Sequence, residues 1–307
     1  MISSFFDKTK PINFLVLLGT ALLLFWGVTF KFYGFTLEYS IFFERVLATI
    51  ALLLSVFLLG NMVKTKKLTL DNSFAMLFFL ALLFFFPDTL KNSTIVFSGF
   101  FVLLSMNRAI ALRDEKNQKE KIFESALWLY LAGFFSEWSL FFIVALYVAI
   151  YLFVGKQLRL WLMPFAALIC IAILAFAFTL FLNDTDFFLE HFRFSVSFDF
   201  FLKPNYGLLF YILLIIILAL VVFGKLGYRR LGRTLSLRLI LAYLMISVLI
   251  VLANGNGGDG MELFSFFPGA IFCANYLETI KKQKFKEMAL IASIALPVIV
   301  FAIRLLQ

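Results

Sequence analysis

The sequence predicts an all-α polytopic membrane protein of about eleven transmembrane helices, with its N-terminus inside and its C-terminus outside. Three observations carry this prediction. The 307 residues are 63% hydrophobic and 15% charged, with a mean hydropathy of +1.01, against about 45–50% apolar and about 25% charged for a soluble domain. Apolar runs recur along the whole chain, separated by charged clusters. Those clusters alternate between basic and acidic, the asymmetry that orients membrane proteins. No soluble fold of this length could hide so much apolar surface, which excludes an ordinary water-soluble enzyme. The 44 Phe exclude a disordered chain, because disorder requires a sequence poor in aromatics.

The apolar runs fall at about 12–30, 45–63, 73–88, 94–107, 122–135, 139–154, 160–182, 206–224, 236–253, 262–277 and 288–305. A helix needs about 20 residues to cross about 30 Å of hydrocarbon. The runs that begin near 12, 45, 160, 206, 236 and 288 meet or approach that length, and those near 73, 94, 122 and 139 are short. MISSFFDKTKP precedes the first run and no small-residue cleavage site follows it, so the first helix is expected to be retained as a signal anchor. The short runs come in pairs, joined by PDTLKN (87–92) and by SEW (136–138). If such helices stop part-way through the bilayer, Asp88, Lys91 and Glu137 lie at the floor of an outward-facing cleft. If polar ends extend them, they are plain crossings.

The chain reads as a single transmembrane domain over 1–307. Outer loops are expected at 31–44, 87–93, 183–205 and 254–261, and basic cytoplasmic loops at 64–72, 108–121, 225–238 and 278–287. With Lys8 and Lys10 placed inside, 21 of the 27 Lys and Arg residues fall on the inner side, and ten of the 18 acidic residues fall on the outer side. The net charge of +9 is thereby explained by cytoplasmic loops, and nucleic acid is not an expected partner.

Few residues offer chemistry. No phosphate-binding Gly-rich loop, zinc-binding helix motif or nucleophile elbow is present. Cys170 and Cys273 lie in apolar runs, and the single His191 cannot build a His-based metal site by itself, so no metal site is expected. NGNGGDG (254–260) follows an apolar run and reads as an outer turn. Charges deep within the runs are almost absent, which disfavours ion-coupled transport. The long outer loop NDTDFFLEHFRFSVSFDFFLKPNYG (183–207) mixes aromatics with charges, as an interfacial segment does. There His191, Arg193 and Lys203 could bind a lipid phosphate, Arg193 through its bidentate fork. The plainer reading is an aromatic belt that holds the loop at the membrane surface.

Short paired helices after an acidic first loop, with FFLEHFRF…KPNYGLLFYI (187–212) and a late ELFSFFPGAIFCANYLE (262–278) containing a helix-breaking Pro, resemble the membrane module of the GT-C glycosyltransferases. The whole chain, opening with FFDKTKPINFL (5–15), also resembles a family of multi-pass inner-membrane proteins from Bacteroidota. These resemblances imply a bacterial inner-membrane location and transfer of a sugar from a polyprenyl phosphate on the periplasmic face. Glu38 or Glu44 would be the general base that deprotonates the acceptor. Asp88 would assist it or hold a divalent metal, the one cofactor the resemblance allows. Arg193 and Lys203 would neutralise the departing lipid phosphate.

The first loop lacks the adjacent acidic pair of that family, and no soluble outer domain is expected after the last run. A non-catalytic integral subunit of an envelope or secretion complex, with membrane lipids and other integral-membrane proteins as partners, therefore stands beside the enzyme reading. A lipid or solute transporter is the third alternative.

Overall fold

The computed structural model describes residues 6, 11–34, 36, 38–182, 205–225, 231–254 and 260–306. Among these residues the chain is all-helical, and a helix meets every apolar run. In chain order they are α1 (Pro11–Tyr33), α2 (Tyr39–Thr65), α3 (Phe74–Phe85), α4 (Ser93–Ala111), α5 (Gln118–Gly133), α6 (Ile143–Phe153) and α7 (Met163–Leu182). Then follow α8 (Tyr206–Lys225), α9 (Leu231–Ala253), α10 (Leu263–Thr279) and α11 (Gln283–Leu306). Seven of them, α1, α2, α4, α7, α8, α9 and α11, are long and apolar enough to cross a membrane by length and composition. The chain is a helical multi-pass membrane protein.

Helix ends follow local chemistry. α3 has only 12 residues, about 18 Å at 1.5 Å per residue. Pro87 ends it, because a proline disfavours helical backbone at the preceding residue, and Phe86 sits at φ −122°, ψ 68°. The chain then turns through a short 3-10 segment, Pro87–Leu90. α4 is longer than the run 94–107 predicts. Asn92 caps its start by accepting from the Thr94 amide at 3.1 Å, and Arg108 stays on the helix, 2.7 Å from Glu124 of α5. α6 is preceded by a 3-10 segment, Glu137–Phe142, which lengthens that short element on its polar side.

α10 is the hub, in contact with α3, α4, α8 and α9. It is apolar on every side and buried along most of its length, as expected of a helix surrounded by protein. The sequence suggests a break at Pro268; instead the helix runs through that residue, its sixth. Gly269 lets α8 close on it: a Cβ there would lie 2.6 Å from Ile215 Cδ1 and 3.2 Å from Tyr211 Oη. Small residues at helix crossings serve this purpose inside membranes. Phe79 of α3 stacks on Phe267 of α10, with centroids 4.8 Å apart. α5 packs on α4 and carries α7, while α11 rests on α3.

Candidate functional site

The acids singled out by the sequence sit at one end of the bundle. Glu38 is the residue before α2 and is exposed. Glu44 lies on the first turns of α2 and is exposed. Asp88 is on the 3-10 turn after α3, where its Oδ2 lies 2.9 Å from Arg304 Nη1 of α11. Lys31 of α1 donates to the Arg304 carbonyl. The cleft these residues share with Val28, Phe32, Pro87 and Phe301 measures about 30 Å³, room for a water or two and not for a sugar ring. Two cations beside one carboxylate also make it unsuited to a divalent ion. Among the described residues, no three His, Cys, Asp or Glu side chains form a metal-binding group. Glu137 begins the 3-10 segment before α6 and is half-buried. The predicted phosphate ligands His191, Arg193 and Lys203 lie outside the described residues, as do residues 255–259 of the Gly-rich turn.

The structure organises this end around an arginine at the start of the second apolar run. Arg45 is on α2 and is 1% exposed. Its Nε and Nη2 donate to Thr29 Oγ1 at 3.1 and 2.9 Å. Nη1 donates to the Lys91 carbonyl at 2.9 Å and to Ser93 Oγ at 3.0 Å, and Nη2 also reaches the Leu90 carbonyl at 2.8 Å. All five guanidinium N–H groups are thereby used. The guanidinium carbon lies 4.4 Å from the Phe25 ring centre and 5.2 Å from that of Tyr33, where cation–π attraction offsets part of the lost hydration. Arg45 therefore ties α1, α2 and the start of α4 to the carbonyl end of the 3-10 turn that carries Asp88.

Glu262, the first residue of the run 262–277, is 3% exposed at the entry of α10. Its carbonyl accepts from Ser265 Oγ at 2.6 Å, and Ser265 Oγ lies 2.8 Å from Tyr211 Oη. Gly260, just before it, has φ +82°, and a Cβ there would fall 2.9 Å from Thr89 Cα. Only glycine allows both the left-handed backbone and that close approach.

A second polar node lies at the opposite end. Arg233 of α9 donates to the Leu68 carbonyl at 3.0 Å, to Asn275 Oδ1 at 2.6 Å and to Glu278 Oε2 at 2.9 Å. Glu278 Oε1 accepts from the Leu70 amide and from Asn72 Nδ2, both at 2.7 Å. Nearby, Lys66 pairs with Asp114 at 3.2 Å. Here the described residues of the segments 64–72, 108–121, 225–238 and 278–287 meet, the segments the sequence marks as basic.

Comparison with known proteins gives no match: no family model, no curated protein and no solved structure aligns with the chain.

Proposed function

We propose that the chain is a non-catalytic integral subunit of a membrane complex, seated in a bacterial inner membrane with its basic loops in the cytoplasm. The observation that supports this reading is how the charges within its helices are spent. Arg45 gives every donor to Thr29, Ser93 and two carbonyls of its own chain. Arg233 and Glu278 bind each other and the 68–72 turn. In transporters and membrane enzymes such residues line a pathway or a substrate cavity; here they brace helices against one another.

Sugar transfer from a polyprenyl phosphate on the outer face is the second reading. It is favoured by exposed Glu38 and Glu44 at the end of the bundle that also holds Asp88, where Lys31 and Arg304 could meet a phosphate. Purification from native membranes in a mild detergent, with mass spectrometry of co-purifying proteins and lipids, separates the two. A stoichiometric protein partner, retained in an E38Q/E44Q/D88N variant, is the expected result. Retained polyprenyl phosphate without such a partner, together with sugar transfer abolished in that variant, overturns the subunit reading.

A further inference from the structure

α11 leans on α3 but leaves a groove beside it. This groove is lined by Phe78, Leu82 and Phe85 of α3, by Phe210, Leu214 and Leu218 of α8, and by the α10 residues Cys273 and Tyr276. Its fourth wall is the small-residue face of α11, Ala289, Ala292 and Ser293, followed by Leu296 and Pro297. The volume is about 300 Å³. From Phe210 to Leu218 it follows eight residues of helix, about 12 Å, and a neighbouring vestibule continues along α8 to Lys225, seven residues further on.

The groove joins a charged vestibule. Tyr276, Ala289 and Ala292 also line a wider vestibule of about 1160 Å³, together with Lys225, Lys281, Lys282 and Glu278. Lys225 Nζ sits at the junction, 3.2 Å from Thr279 Oγ1 and 5.8 Å from the centre of the Tyr276 ring. Lys282 Nζ lies 5.8 Å from the Phe285 ring centre. Glu278 does not cancel these cations, because both its oxygens are engaged by Arg233, Asn72 and the Leu70 amide. An apolar slot that runs on into a vestibule lined by three lysines matches one kind of molecule: a chain of methylenes that ends in an anion.

We propose that this groove is a binding site for an anionic glycerophospholipid of the leaflet on the basic side, with one acyl chain between α8 and α11 and the phosphate headgroup on Lys225, Lys281 and Lys282. The site goes beyond the subunit reading and stands whether or not that reading holds. A thin acyl chain completes the packing that α11 does not make with α8, and the lysines distinguish this lipid from the zwitterionic bulk. A lysine near an anionic headgroup contributes about 1 kcal/mol, so removing two of them is expected to weaken binding about tenfold or more.

The experiment is native mass spectrometry of the full chain after delipidation in detergent, titrated with phosphatidylglycerol and, separately, with phosphatidylcholine. A single phosphatidylglycerol adduct, bound at least tenfold more tightly than phosphatidylcholine, is expected. K225Q/K282Q, two exposed positions with no part in the core, should remove that preference while leaving the unfolding temperature unchanged. A292F, which fills the slot, should lower binding of both lipids; if it fails to fold, the lysine pair alone decides. Equal affinity for the two lipids, or a preference that survives K225Q/K282Q, overturns the proposal. Displacement of phosphatidylglycerol by a tenfold lower concentration of a polyprenyl monophosphate would also overturn it, since the groove would then belong to a different lipid.

Discussion

Arg45 carries a full charge inside a helix bundle, and what makes that tolerable is the number of its partners. Replacing it with leucine would leave the Leu90 carbonyl without this donor and remove one of the two donors to Lys91 O, the other being Tyr33 Oη at 3.2 Å. An unsatisfied buried carbonyl costs about 1–3 kcal/mol, so Arg45→Leu should lower the unfolding temperature in detergent by several degrees. Arg45→Lys should recover only part of the loss, because one ammonium with three donors cannot serve four acceptors spread around the guanidinium. Arg233 and Glu278 make a complementary case. Loss of either partner alone should destabilise by about 3–5 kcal/mol, while a double replacement with leucine should cost less than the single changes combined; a thermal double-mutant cycle reads this directly. None of these roles was legible in the sequence. Thr29, Ser93 and Leu90 lie 16 to 48 residues from Arg45, and Leu68 lies 165 residues from Arg233. From sequence alone, Arg45 is one more cation beside an apolar run.

At the level of the helices the apolar runs were sufficient to locate α1 to α11 among the described residues, because a segment that must hide its backbone from lipid has helix as its ready solution. Their ends were less legible, since the ends depend on caps and pairs. Asn92 and the Arg108–Glu124 pair lengthen α4, and Pro87 shortens α3. The behaviour of α10 was the least predictable, for it is continuous through Pro268 and enclosed by four neighbours. That enclosure can be probed at Gly269. A Gly269→Val substitution forces atoms into the space held by Ile215 and Tyr211 and should cost about 1–3 kcal/mol. Gly27 has nothing within 4 Å of a built Cβ, so Gly27→Val is the control. It should leave the unfolding temperature almost unchanged, with a small gain from replacing glycine in a helix. Equal effects at the two positions would contradict the close α8–α10 crossing.

For the whole molecule, the distribution of charge and the grouping of loops make the same division. The loops rich in Lys and Arg meet around Arg233, Glu278 and the Lys66–Asp114 pair. The segments with exposed Glu38, Glu44 and Asp88 gather at the other end around Arg45. The acids predicted as a catalytic group share one end of the bundle, but nothing in the charge pattern specifies convergence, and Asp88 is bound to Arg304. The division leads to a definite topology. If the positive-inside bias orients the chain, the turn at Asn117 is cytoplasmic and Asn205, at the start of α8, is outside. Single cysteines at these two positions, in a chain with Cys170 and Cys273 replaced by serine, can be exposed to a membrane-impermeant maleimide in intact cells. Asn205→Cys should label at once, and Asn117→Cys only after the membrane is opened. The reverse pattern would invert the molecule and place the Lys225, Lys281 and Lys282 vestibule in the opposite leaflet.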